Sequence, residues 1–461
     1  MSLVTLTIDG ENYKVEDNEL LIDVLINNNI EIPYFCYHEA LGADGNCRMC
    51  MVELEGQKRP QIACDTFVSE GMVVNTRGEK INGVRKDILE LELINHPVDC
   101  PICDQAGECK LQDFYMDYGL YDSNIKQSDK VHHKKHVDLG SNVILDQERC
   151  VLCARCTRFT SNVTKTGELG IINRGDHACV TTMPGEKLDN PYAMNVVDLC
   201  PVGALTSKDF RFAQRVWFLS STPSICHGCD RGCNIYIDHN KEKYKDDKIH
   251  RFRPRINKNV NGHFMCDEGR LSYKNLLENR QEKCLLDGNN EIADENEALE
   301  YLFLKIKDSK NIIFLVDPNL YNEDMAVISA IAKELQVNVY SPLESYYDEE
   351  FGDDWLRSPW KCANRWSLKE FDIKEEPKEK DIDLIINFNH PDIEKIEAKE
   401  KISFQTHKNY KADLIFPIPV YSEYSGTITN IDGIKQHCDK AIRSNINQIT
   451  QWINKLKEVI L

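Results

Sequence analysis

Cys150-Val151-Leu152-Cys153-Ala154-Arg155-Cys156 opens a run that Cys200-Pro201-Val202-Gly203-Ala204 completes. Three cysteines at two-residue intervals begin a bacterial ferredoxin run, whose fourth cysteine would fall at position 160, followed by proline. Position 160 is threonine. The remote Cys200-Pro201 supplies the matching end, because in two-cluster ferredoxins the last cysteine of each run serves the other cluster. Counting back from Cys200 by the same spacing reaches Val196, Ala193 and Asn190, three places where a second cluster would need cysteine. The pattern predicts a degenerate two-cluster ferredoxin domain that keeps one [4Fe–4S] cluster on Cys150, Cys153, Cys156 and Cys200. Zinc on four thiolates is the alternative.

Three more sets flank this one. Cys36, Cys47, Cys50 and Cys64 lie on a loop-and-strand pattern, with Gly42 and Gly45 just before Cys47-Arg48-Met49-Cys50. Glycine lets the backbone approach an inorganic cluster and aim N–H groups at it, so this set suits a [2Fe–2S] centre. His96, Cys100, Cys103 and Cys109 follow a helical pattern over 81–95. Three cysteines so close behind His96 make it a ligand candidate for a [4Fe–4S] cluster, and histidine raises cluster potential where it replaces thiolate. Cys226, Cys229, Cys233 and Cys266 form the last set, surrounded by Gly228, Gly232, Gly262 and Gly269. Spacing alone permits zinc there; the neighbouring sets favour [4Fe–4S]. Fifteen cysteines and His96 are thus candidate ligands. Cys179, Cys284, Cys362 and Cys438 fit no set and read as ordinary thiols.

The rest of the composition narrows the setting. Of 461 residues, 19 are cysteine, 41% are hydrophobic and 28% are charged, which describes a globular chain. Lys plus Arg number 56 against 75 Asp plus Glu, a net charge of −19 that disfavours nucleic acid as a partner. Local basic clusters such as Lys130–Lys135 read as solvated faces or subunit contacts. The longest apolar run, Ile312–Val316, is too short for a bilayer, and Met1–Gly10 reads as a strand and not a signal peptide. Together these predict a cytosolic chain, where thiols stay reduced and clustered cysteines mean metal or redox chemistry.

Local patterns divide the chain into five modules. Residues 1–80 carry alternating strands about an Asp9-Gly10 turn, a helix near 19–28 and short strands at 51–54, 60–64 and 72–76, an α+β domain of the β-grasp kind. Residues 81–138 form the His/Cys helical segment and 139–218 the ferredoxin-like domain. Residues 219–280 form a fourth-cluster domain interrupted by the charged, hairpin-like stretch Lys241–Lys248. In 281–461, apolar runs at 312–316, 338–340, 383–388, 401–406 and 412–417 alternate with helical stretches such as Met325–Leu335, which predicts an α/β domain with a mostly parallel sheet. No Gly-rich dinucleotide fingerprint and no P-loop is present, so no catalytic residue is assigned.

In this order, the four sets resemble those of the large iron–sulfur subunit of bacterial NADH:quinone oxidoreductase, respiratory complex I. The match rests on Gly45-Asn46-Cys47-Arg48-Met49-Cys50-Met51-Val52-Glu53, on His96-Pro97-Val98-Asp99-Cys100-Pro101-Ile102-Cys103-Asp104-Gln105-Ala106-Gly107-Glu108-Cys109, and on Cys200-Pro201-Val202-Gly203-Ala204-Leu205-Thr206. Cys226–Cys266 is similar to an extra cluster that some bacterial members keep. Ala412–Gly433, with Glu423, Gly426, Thr427 and Asn430, is similar to part of the family's molybdopterin-oxidoreductase-like domain.

The resemblance implies an electron relay in the peripheral arm of a proton-translocating complex, on the cytoplasmic side of the bacterial inner membrane. It would touch the membrane only through the complex. It implies one [2Fe–2S] and three [4Fe–4S] clusters and no molybdopterin. Its partners would be an electron-donating flavoprotein, or a substitute for it, and quinone-side iron–sulfur subunits. The fourth cluster would lie off the main path. The iron–sulfur subunit of a formate dehydrogenase or a hydrogenase complex is the alternative. Against a molybdenum enzyme, Glu268 occupies the place where such enzymes carry a lysine, and the chain after Cys266 is short for a pterin domain. Against an iron-only hydrogenase, few cysteines follow Cys266. A zinc scaffold would be an assembly protein of another class.

Overall fold

Asp9 and Gly10 both take left-handed backbone angles, φ 50° and 90°. Two such residues make the tight turn whose twist suits a hairpin, so β1 (Leu3–Ile8) runs straight back as β2 (Glu11–Glu16), with Ile8 opposite Glu11. The computed structural model describes residues 2–119, 125–244, 246–288, 290–292 and 294–460. These fall into two compact units, 1–218 and 219–461.

In the first unit, helix α1 (Leu21–Asn27) follows the hairpin, and β3 (Met51–Leu54), β4 (Gln61–Ile62) and β5 (Val73–Asn75) complete a five-stranded sheet in the order β2-β1-β5-β3-β4. Strand β5 runs parallel to β1 and antiparallel to β3. Leu21, Ile22, Val24 and Leu25 of α1 bury against Val4, Leu6, Ile8 and Val52 of the sheet. Cys50 and Cys64 belong to that same core, so the first cysteine set grows out of the packed end of the sheet. Helix α2 (Glu79–Leu93) leads to His96, and α3 (Lys110–Tyr118) begins directly after Cys109. Strands β6 (Val137–Asp138) and β7 (Val143–Leu145) form a three-stranded sheet with β10 (Leu205–Ser207), and β8 (Leu169–Ile172) with β9 (Cys179–Thr182) makes a separate hairpin. Helix α4 (Arg155–Arg158) carries Cys156, and α5 (Asn195–Leu199) ends at Cys200.

The second unit starts with a three-stranded antiparallel sheet, β11 (Leu219–Ile225), β12 (Asn234–Asn240) and β13 (Ile249–Pro254). The stretch Lys241–Lys248 links β12 to β13, as a hairpin should; residue 245 lies outside the described residues. Helices α6 (Asp267–Leu271) and α7 (Tyr273–Leu276) follow Cys266. Beyond them stands a seven-stranded sheet. Its parallel part is β16 (Ile312–Val316), β17 (Asn338–Tyr340), β18 (Leu384–Phe388), β19 (Glu400–Gln405) and β20 (Leu414–Pro417), in the order β20-β19-β18-β16-β17. The sequence reading missed its edge: β14 (Cys284–Leu286) and β15 (Asn290–Ile292) add an antiparallel hairpin beside β20. Helices α8 (Glu295–Asp308), α9 (Asn322–Leu335) and α11 (Ile449–Ile460) flank the sheet, and α10 (Ser367–Glu370) is a single turn. Strands β21 (Gly426–Thr429) and β22 (Lys435–Cys438) form a hairpin between β20 and α11.

At the carboxyl ends of β16 and β18 the strand order reverses, which is where doubly wound sheets open a ligand crevice. Here Asp317 fills that place. Its carboxylate accepts from Tyr346 Oη at 3.0 Å, Asn319 Nδ2 at 3.0 Å and Asn389 Nδ2 at 2.7 Å.

Nearby on α9, Asp324 is fully buried and accepts from Tyr424 Oη at 2.7 Å. Burial pushes its carboxyl up to about 7. A carboxyl whose folded pKa is raised destabilises the fold progressively as pH climbs from its unfolded value, about 4, through 7. Asp324→Asn is therefore expected to stabilise the second unit by up to roughly 4 kcal/mol above pH 7 and by little near pH 4. Unfolding monitored across that window tests it; a gain independent of pH would refute the assignment.

Candidate metal centres

The four thiols of the first set are each at most 5% exposed. They touch in a chain in which Cys36 meets Cys47 and Cys64, and Cys64 meets Cys50. The Phe35 and Cys36 amides both donate to Cys47 Sγ at 3.4 Å, and the Gly45 amide donates to Cys36. Cys47 and Cys64 are pushed up by these sulfur contacts and by burial, while Cys36 and Cys50, which accept from them, are pushed down. The sulfurs thus form one continuous cluster, Cys47–Cys36–Cys64–Cys50.

His96, Cys100, Cys103 and Cys109 line one cavity of about 200 Å³, together with Val98, Ala106, Leu111 and Gly203. Burial pushes His96 down to about 4 and Cys109 up to about 12, so at neutral pH the imidazole is uncharged. The Val98 amide donates to His96 Nδ1 at 3.1 Å. Around this cavity the sequence reading needs correction. The basic cluster Lys130–Lys135 reads as a solvated face or a subunit contact, but Lys130 is 8% exposed, and its Nζ donates to Leu93 O at 3.2 Å and His96 O at 2.5 Å, capping the end of α2. Arg149 donates in a fork to Asp99 at 2.9 and 2.7 Å, fixing the loop that presents Cys100 and Cys103. No local sequence signal marks these partners.

Cys150, Cys153, Cys156 and Cys200 line an apolar cavity with Leu145, Val180 and Ala204. The amides of Val202, Ala204 and Leu205 all point at Cys200 Sγ, and the Leu152 amide donates to Cys150 Sγ at 3.4 Å. Leu152 and Ala154 take left-handed angles, φ 49° and 57°. Residues other than glycine rarely adopt these angles and hold them only where the surroundings fix them; here they turn N–H groups toward sulfur. Burial pushes Cys153 up to about 12.

Cys226, Cys229, Cys233 and Cys266 are each at most 8% exposed and close enough to act on one another. Gly228 donates to Cys226 Sγ at 3.4 Å and Gly269 to Cys266 Sγ at 3.3 Å. A methyl group on Gly269 would stand 2.9 Å from Cys226 Sγ and 3.3 Å from Cys266 Sγ, so the glycine keeps open the space between these sulfurs. Of the remaining cysteines, Cys284, Cys362 and Cys438 are buried and Cys179 is half-buried.

These features fit iron–sulfur clusters. The thiols of the third and fourth sets, which burial holds neutral, need a metal to become thiolates, and backbone N–H groups aimed at sulfur are the second shell that tunes cluster potential. The third set also adjoins both others of its unit. A methyl group on Gly203, three residues past Cys200, would stand 2.3 Å from Cys103 Sγ, while Arg158 of α4 donates to Leu41 O and Gly42 O at 3.1 and 3.0 Å, and Asn46 to Leu152 O at 3.1 Å.

Folds and thiol arrays of this kind define an iron–sulfur protein assembled from ferredoxin-type modules, and comparison with known families agrees. Residues 2–79 match a 2Fe-2S iron-sulfur cluster binding domain and residues 85–124 the NADH-ubiquinone oxidoreductase-G iron-sulfur binding region. Residues 140–206 match the ferredoxin-like domain of NADH-quinone oxidoreductase subunit 3, and residues 219–277 the molybdopterin oxidoreductase Fe4S4 domain. The chain carries both [2Fe–2S] and [4Fe–4S] domains.

It is a homologue of the large iron–sulfur subunit of NADH-quinone oxidoreductase, the one designated G. It is 35% identical to that protein from Rickettsia conorii over 74% of this chain and 50% of the relative, and 40% identical to the Streptomyces coelicolor protein over 59% and 32%. It is 32% identical to the NADH-ubiquinone oxidoreductase 75 kDa subunit of Reclinomonas americana over 77% and 52%. The chain thus spans about half the length of the Rickettsia and Reclinomonas relatives. A chain of an NAD+-reducing [NiFe]-hydrogenase in the H2-reduced state aligns at 26% identity and a TM-score of 0.42, covering 46% of this chain and 91% of that one. No helix among the described residues is long and apolar enough to cross a membrane.

Proposed function

We propose that this chain is an iron–sulfur relay subunit in the peripheral arm of a respiratory NADH:quinone oxidoreductase. It would carry single electrons from a flavoprotein donor toward the quinone-side iron–sulfur subunits, on the cytoplasmic side of the bacterial inner membrane, within a complex that couples the transfer to proton translocation. In this reading Cys36, Cys47, Cys50 and Cys64 hold a [2Fe–2S] cluster in a β-grasp module, 1–80. His96, Cys100, Cys103 and Cys109 hold a [4Fe–4S] cluster in 81–138. Cys150, Cys153, Cys156 and Cys200 hold another in the ferredoxin-like module, 139–218, and Cys226, Cys229, Cys233 and Cys266 a third in 219–280. Residues 281–461 are an α/β scaffold without molybdopterin.

When bound, the clusters store and release one electron each; the chain sets their potentials and spacing. The observation that carries the relay reading is the position of the third set, in contact with the other two of its unit. It supports the order first set, third set, second set. Chain order alone would have put the second set in the middle.

Metal and acid-labile sulfide analysis after anaerobic purification tests this. The expected content is about 14 iron and about 14 sulfide per chain, from one [2Fe–2S] and three [4Fe–4S] clusters. About four zinc and no sulfide would sink the relay, and stoichiometric molybdenum would restore the enzyme alternative.

A further inference from the structure

Arg155 lies between Cys153 and Cys156 and is 4% exposed. Its Nη1 donates to Leu199 O at 3.1 Å and its Nη2 to Tyr37 O. Its Nε is buried without a hydrogen-bond partner among the described residues. Among the described residues no carboxylate pairs with it. Arg155 lines the cavity of the third set, and the carbonyl it bonds belongs to Tyr37, next to Cys36 of the first; burial works against its charge, while Cys153, Tyr34, Cys200 and Cys36 favour it. The Tyr34 ring lies 5.9 Å from the guanidinium carbon, and Lys110 Nζ sits over the same ring at 3.9 Å, adding positive charge and compensating none.

Two other arginines with buried side chains are neutralised: Arg149 has Asp99, and Arg280 has Glu423. Arg85, also buried, meets only Met51 O and Tyr118 Oη, and no cysteine set surrounds it. Arg158, one turn along from Arg155 and bonded to the same first-set loop, has Asp44 at 3.9 Å. A buried, unpaired cation is costly, so the charge that balances Arg155 has to lie with whatever the surrounding thiols hold.

We propose that Arg155 is a fixed charge that raises the reduction potentials of the first-set and third-set centres together. Reduction adds one negative charge, and a nearby cation in a low-dielectric interior favours the reduced form. Because Arg155 faces both sets, it lifts both potentials and keeps the step between them shallow. The inference rests on the cluster assignment above for these two sets.

The test is an EPR-monitored redox titration of the full chain with its clusters, comparing the natural sequence with R155Q, R155K and R158Q. R155Q is expected to lower both midpoints, each by at least tenfold in the equilibrium constant for reduction, about 59 mV for a one-electron couple. R155K restores both, and R158Q leaves the third-set midpoint in place. R155Q that keeps its iron with either midpoint unmoved overturns the proposal, as does R155K shifting as far as R155Q. Should R155Q lose iron, R155K decides: retained iron at near-natural midpoints upholds the charge, and equal loss of iron overturns it. A natural chain lacking the [2Fe–2S] or third-set signal would remove the cluster assignment itself, so the two failures are told apart.

Discussion

Replacing Arg365 with alanine is expected to strip the fourth cysteine set of its iron, so that the purified chain falls from the proposed total of about 14 to about 10 iron atoms. Asp230, directly after Cys229, is 1% exposed, and Arg365 donates to its Oδ2 through Nε at 3.0 Å and Nη2 at 2.8 Å. The other oxygen, Oδ1, is buried with no partner among the described residues. Removing the guanidinium leaves a buried carboxylate uncompensated. That costs about 3 kcal/mol, the low end of the range for buried pairs, because the Arg365 side chain is itself 26% exposed. The strain falls on the loop carrying Cys229 and Cys233. More of that loop hangs from the C-terminal region: Asp230 N donates to Trp360 O at 3.0 Å, Ile431 N to Asp230 O at 2.7 Å, and Gln436 Nε2 to Gly232 O at 2.9 Å. The double variant D230N/R365A, which removes the charge from both sides, is expected to regain iron relative to R365A. The first three sets lie in the other compact unit and keep theirs. Full iron in R365A would show that the pair does not hold the loop.

That ion pair also shows where sequence reading stops. Local signals were legible. Asp9-Gly10 announced a hairpin, and the apolar runs at 312–316 and 338–340 became strands with those same limits. The spacing of the cysteines is a local code too, since each Cys-x-x-Cys turn brings its own N–H groups to its own sulfurs. What could not be read is pairing across long separations. Arg365 and Asp230 are 135 positions apart, and Arg155 and Tyr37 are 118 apart. Neither leaves a periodic mark, because one charged residue in a turn or a short helix looks the same whether it faces water or a buried partner. The β14–β15 hairpin was hidden for another reason. Strands of three residues, with half-exposed or exposed side chains at most positions, carry too little alternation to stand out from a loop.

The contact of the third set with each of the other two was equally invisible in the spacing, and Gly203→Ala probes its contact with the second directly. The second set is expected to lose its four irons in this variant while the first and fourth sets keep theirs. Alanine would place a methyl carbon 2.3 Å from Cys103 Sγ and 3.0 Å from Gln105 Cβ, far inside van der Waals contact. Neither side yields easily. Gly203 lies between Val202 and Ala204, both 1% exposed, whose amides are turned toward Cys200 Sγ. Cys103 is pinned through its own amide, 3.0 Å from Asp99 O, and Asp99 is gripped by Arg149. The cheapest escape is rotation of the Cys103 side chain, which takes its sulfur off the cavity. Overpacking of this kind costs roughly 1–3 kcal/mol, small against the fold of a 461-residue chain but decisive for a ligand that must hold one rotamer. The variant should therefore stay folded, by circular dichroism, with iron near 10 per chain and the EPR signal of the His96 centre gone. If instead the third-set signal disappears and the second persists, the clash is relieved by moving the Cys200 loop. Retention of both signals at natural potentials would mean that the two sets do not share the wall that Gly203 forms.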